Sequence, residues 1–198
     1  MVAAKYDEAR IAEVCRTFGR SALTAFAAAC AERLWPLVER YGSVTPLPEQ
    51  SILTLRYALD AVWRTAGGSD EDLAQARDVA ESMVPFEDED WTIEAGYAQN
   101  AIAAIAYAAR AWLSDDPQEA VWAARQLYEA ADYGAQQSSG DGLREYTPVV
   151  EGELLDTRIV REAVTALVED LASALSQGPE VLRRRAKQAA PDFARLFP

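Results

Sequence analysis

Residues 95–113, AGYAQNAIAAIAYAARAWL, are apolar, small or tyrosine at nearly every position. Gln99, Asn100 and Arg110 are the strongly polar exceptions. A helix that is apolar almost all round is buried among others, so this stretch is expected to be the central post of a helical bundle. The flanking segments show one-sided helical periodicity instead. Ile11, Val14, Cys15 and Phe18 mark a helix over 7–18, with Gly19 as its stop. Leu23, Phe26, Ala27, Cys30, Leu34, Leu37, Val38 and Tyr41 line one face of a second helix, capped by Ser21. Pro36 lies inside it and predicts a kink over 32–35, because proline removes a donor and crowds the preceding turn. Ile52, Leu55, Leu59, Val62 and Trp63 carry a third helix to Gly67-Gly68.

Local signals place the remaining boundaries. Ser69 followed by Asp70, Glu71 and Asp72 predicts a fourth helix start, since acids favour the positive end of the helix dipole. Pro85 stops that helix. Thr92 is the expected cap of the central post. Asp116 as cap, Pro117 as first helical residue and Glu119 as capping-box acid predict a helix over 117–133. The connection is so short that this helix and the post must form an antiparallel hairpin. Thr147-Pro148 is read as the start of a long helix reaching Ser176, with Gly152 weakening its first turns. The expected fold is all-α: about eight helices and no strand, around a buried alanine-rich hairpin. Residues 1–198 are read as one helical domain, in which 176–198 form a short basic helix and tail.

Composition sharpens this picture mainly by exclusion. The chain has 198 residues, long enough for a sizeable core, and half of them are apolar. It contains no histidine, which removes imidazole acid/base chemistry and histidine metal ligands. Cys15 and Cys30 fall on apolar helix stripes as small hydrophobes, and the absence of a paired framework fits a reducing cytoplasm. The first residues lack a signal-peptide core. The central stretch has the length of a membrane span but is too alanine-rich and is interrupted by polar residues. The net charge of −13 disfavours nucleic acid; it reads as a solubilising surface or, more sharply, as complementarity to a basic partner. Residues 183–198 run against this balance, with five basic side chains to one acid. Such a segment is expected to fold back onto the acidic body.

Several runs resemble the YjaG-like family of bacterial proteins, a domain of unknown function. Cys30-Ala31-Glu32-Arg33-Leu34-Trp35-Pro36 is similar to its Cys-x-Glu-Arg-x-aromatic-Pro run, with Tyr41 where an aromatic is usual. Leu59-Asp60-Ala61-Val62-Trp63 is similar to its Leu-Asp-x-x-Trp. The central hairpin resembles the family's alanine-rich one, and Pro148, Val150 and Glu151 its Pro-x-Val-Glu start to the long helix. The basic C-terminal helix departs from the pattern. The resemblance implies an all-α bundle in a bacterial cytoplasm and brings no assigned reaction.

Candidate chemistry is sparse. Glu32 and Arg33 precede Pro36 and are expected to pair with Asp60 and Arg64 on the third helix. A pocket floored by Glu32 and Trp35, with Asp60 nearby, is the functional alternative. Glu87, Asp88, Glu89 and Asp90 form an acidic loop without the glycine turn or alternating spacing of a cation site, read as a solvated loop or as a contact surface for a basic partner. Glu129 and Asp132 lie one turn apart, as in helical metal-dependent hydrolases, but lack a second acidic pair on a facing helix. Tryptophans and tyrosines at helical spacing are read as core. No cofactor or metal is expected.

The first functional reading is a non-enzymatic, acidic helical protein that binds a basic protein, such as an immunity or antitoxin-like inhibitor. The second is a small-molecule binder or metal-dependent hydrolase with a pocket between the kinked second helix and the central hairpin. The third is a homo-oligomer built on an exposed apolar face of the long helix.

Overall fold

The computed structural model describes residues 5–48, 50–86, 91–138 and 156–198. Among these residues there are eight helices and no strand. They are α1 (Glu8–Cys15), α2 (Arg20–Val44), α3 (Ser51–Ala66), α4 (Leu73–Met83), α5 (Ile93–Ser114), α6 (Pro117–Ser138), α7 (Arg158–Ser176) and α8 (Pro179–Ala194).

The post is α5, as its pattern predicts. It packs most extensively on α2 and α6 and also meets α4 and α3. The second helix is more central than its one-sided pattern suggests. Residues 23–35 of α2 are buried without interruption. Five alanines in that run keep the helix thin, so neighbours close on every side and its polar residues are buried with the rest. The helix also continues through Pro36 to Val44, past the expected end at Tyr41. Two glycines make close approaches that a Cβ would obstruct. At Gly96 it would lie 2.4 Å from the Tyr133 ring, and at Gly134 it would lie 2.8 Å from Ile159 Cδ1. The chain stays helical through Gly134 to Ser138, beyond the expected end of that element at residue 133.

The α5–α6 hairpin forms where the sequence places it. Asp115 turns the chain with φ of 55°, and the Asp116 carboxylate accepts from the Gln118 amide at 2.9 Å. Removing that cap (Asp116→Ala) should cost about 1 kcal/mol, read as a lower urea midpoint with an unchanged slope. Other boundaries shift for identifiable reasons. Ser69 does not cap α4. Its amide bonds to the Arg64 carbonyl and the Gly68 amide to Thr65, a Schellman closure of α3 with Gly68 at φ 101°. The cap falls on Asp72, which accepts from Gln75. Ser21 does not cap α2; its hydroxyl donates to the Ala66 carbonyl and ties α2 to the end of α3. The long helix starts at Arg158, because Asp156 and Thr157 are in a turn. Its expected opening at Thr147, Pro148, Val150, Glu151 and Gly152 lies outside the described residues.

Cys15 and Cys30 are both buried and free. Burial pushes the Cys15 thiol up to about 12 and Cys30 well above its ordinary value, so both serve as packing groups. The basic C-terminal segment folds back as α8, longer than the short helix expected, and lies along α2. Arg183 meets Asp60, and Arg185 meets Glu169. No helix among the described residues is long and apolar enough to cross a membrane.

Candidate functional site

Gln99, Asn100 and Arg110 of the post each find a partner within the protein. Gln99 Nε2 donates to the Pro85 carbonyl at 3.0 Å, pinning the segment after α4 against α5. Asn100 Nδ2 donates to the Gly96 carbonyl of its own helix. Arg110 pairs with Glu119 at 2.9 Å and rests against the Tyr107 and Trp122 rings. Gln99 and Asn100 thus brace the scaffold, while Arg110 sits at the end of the post with its side chain 37% exposed.

Two ionic clusters hold the bundle together. In the first, Glu32 is 2% exposed. Its carboxylate accepts from Arg56 Nη1 and Nη2 and from Trp63 Nε1, each at 2.9 Å. Arg56 also bonds Asp60 at 2.6 Å and lies over the Trp35 ring. Trp35 Nε1 donates to Glu39. In the second, Arg33 forms a two-point pair with fully buried Asp170 at 2.6 and 2.8 Å. The expected partners are thus corrected. Glu32 and Asp60 are joined through Arg56, which sequence reading missed, while Arg33 reaches α7 and Arg64 pairs with Glu71. The missed signal was Arg56 itself, one turn before Asp60.

These contacts set the electrostatics of Asp60. Burial works to raise its carboxyl, but hydrogen bonding and charge from Arg56, then charge from Arg183 and Arg64, outweigh it and hold Asp60 below its ordinary 3.8. A depressed carboxyl stabilises the fold above its unfolded value and loses that contribution as pH falls through the folded one. Asp60→Asn should therefore flatten the stability curve below pH 3.8, as followed by urea unfolding across an acid series.

The larger concavity lies elsewhere. A groove of about 600 Å³ opens between the end of α2, the start of α3, the end of α4 and the start of α5. Its walls include Tyr41, Val44, Leu47, Leu55, Met83, Phe86, Trp91 and Ile102. Pro46, Pro48 and Pro85 also line it and offer no backbone donor. Val44 and Phe86 stand 59% and 76% exposed on its rim. Neither Glu32 nor Asp60 lines it. Glu87, Asp88, Glu89 and Asp90 lie outside the described residues, but the residues joined to their two ends, Phe86 and Trp91, both line the groove. Sequence reading missed the groove because loops make it. Its signal was the apolar residues held among prolines at 44–48 and 84–86.

Glu129 and Asp132 accept from Gln126 and Gln136 on their own helix. Among the described residues no group of three or more His, Cys, Asp or Glu is placed to hold a metal ion.

These features define an all-helical bundle with an apolar groove at one end. No family model matches the chain, and no curated protein matches it. A solved structure does: a DUF416 family protein from Shewanella baltica OS155, with a TM-score of 0.72. The match covers 93% of each chain at 12% identity, a likeness of fold.

Proposed function

We propose that this chain is a non-enzymatic, cytoplasmic binding protein of the YjaG-like type. Its partner is a basic protein that seats an apolar anchor in the groove, in the manner of an immunity or antitoxin-like inhibitor. One observation carries the reading: an open apolar groove with Phe86 and Val44 on its rim, whose wall residues Phe86 and Trp91 flank four consecutive acids. Glu49, between the groove residues Pro48 and Ser51, adds a carboxylate by sequence to the other connection whose residues line the groove. A large exposed aromatic beside an apolar concavity supports protein contact. The acids and the net charge of −13 supply steering and reject acidic competitors.

The test uses a short amphipathic peptide of leucine and lysine, titrated by fluorescence anisotropy. Binding should weaken by about tenfold or more between about 20 and 500 mM salt, as screening removes steering and rim contacts. Phe86→Ser combined with Val44→Ser should abolish it at unchanged net charge. Equal binding of a leucine–glutamate peptide, or no effect of the double substitution, would overturn the reading.

A further inference from the structure

Glu81 and Ser82 are neighbours on α4 but belong to different concavities. Ser82 lines the apolar groove, whereas Glu81 lines a second cleft of about 450 Å³ with Asp78, Arg110, Leu113 and Glu119. Glu119 is 6% exposed. Its Oε1 accepts from Arg110, while its buried Oε2 has no hydrogen-bond partner. The capping-box role expected of Glu119 is not taken up. The Asp116 amide bonds Ser114 Oγ instead, and the Glu119 side chain turns to Arg110.

The surrounding groups leave that oxygen unserved. Arg110 is held against Tyr107 and Trp122, and reaches Glu81 only at 3.7 Å. Arg77 engages one oxygen of Asp78. Three carboxylates therefore face two guanidiniums in the cleft. Burial pushes the Glu119 carboxyl above its ordinary range against the pull of Arg110. A buried carboxylate oxygen without a donor costs free energy that an incoming donor recovers.

We propose that this cleft receives a lysine side chain from the same basic partner, with its ammonium against Glu119, Glu81 and Asp78 and its methylene stem along Leu113. Leu113 is 42% exposed and provides the apolar wall such a stem needs. The acceptors favour lysine over arginine. Arg110 already occupies Oε1 of Glu119, so no two-oxygen face remains there for a second guanidinium, whereas a compact ammonium can use single oxygens from several carboxylates. Because Glu81 and Ser82 are consecutive, the two concavities border the same turn of α4. The inference rests on the proposed function for the partner's identity, and the cleft is tested alone.

The probe is N-acetyl-lysine-N-methylamide, with its norleucine analogue as the neutral control, followed by ¹⁵N–¹H NMR. The lysine probe should give saturable shifts at the Leu113, Ser114 and Glu119 amides, and the norleucine probe none. Glu119→Gln and Glu81→Gln should each weaken binding by about fivefold or more, because a hydrogen bond between charged partners is lost. Glu81 is half-exposed, so its variant keeps the test decisive if Glu119→Gln is unstable. Absent shifts, equal shifts from norleucine, or wild-type affinity in the Glu81 variant would overturn the proposal. The leucine–lysine peptide would separately report the groove, so failure of the cleft leaves that reading intact.

Discussion

Asp170→Ala is expected to be the most damaging single substitution outside the apolar core. It leaves the Arg33 guanidinium, 6% exposed as a side chain, without its carboxylate between α2 and α7. Breaking a buried pair from one side costs about 3–5 kcal/mol. In a chain of this size that lowers the melting temperature by roughly 6–20 °C. The double substitution Arg33→Met with Asp170→Leu should recover most of the loss, since an apolar pair removes both desolvation penalties. Thermal unfolding followed by circular dichroism checks both. A loss below about 1 kcal/mol for Asp170→Ala would mean that the pair is solvated and does not hold α7.

Glu32→Ala should come second, at about 3 kcal/mol, because it strips both the Trp63 indole N–H and the Arg56 guanidinium of an acceptor. Trp63 is nearly fully buried and has no solvent to turn to. Glu32→Gln retains an acceptor for Trp63 and should cost less. Asp60→Asn should cost least of the three, since Asp60 is the more exposed acid of the cluster. The order also separates scaffold from site. Residues kept for function at the expense of the fold often stabilise a protein when neutralised. A Glu32→Gln variant more stable than the parent would therefore return Glu32 and Trp35 to the list of binding candidates.

The helices were legible because their signals are local. The apolar run at 95–113 and the Asp116-Pro117 cap define the α5–α6 hairpin without any tertiary information. The boundary that failed at Ser69 did so because a neighbouring helix end claimed its amide, and propensity cannot weigh that competition. The partner of Arg33 was illegible for a different reason. Asp170 lies 137 residues away, and although it shares the apolar face of α7 with Ala163, Leu167 and Ala174, helical periodicity does not name the partner across that distance. Glu119 shows the limit of motif reading. Its position satisfies the capping-box pattern, yet Arg110 offers a charged donor and takes the carboxylate. The groove required knowing that the loops after α2 and α4 lie beside each other at one end of the bundle.

The folded-back C-terminal helix changes how the charge is read. Arg183 and Arg185 are spent on Asp60 and Glu169, so these basic side chains brace the scaffold. On the proposed reading, binding then falls to the exposed apolar side chains of the groove, Val44 and Phe86.

On the proposed reading the ionic clusters and the buried length of the post are scaffold, and the partner's apolar anchor is recognised in the groove. Amide shift mapping of the ¹⁵N-labelled protein with the leucine–lysine peptide tests it most directly. Saturable shifts are expected at Val44, Leu47, Phe86 and Trp91, with Asn100, Glu32 and Asp60 unmoved. Saturable shifts centred on Glu32, Trp35 and Asp60, with the groove silent, would contradict it.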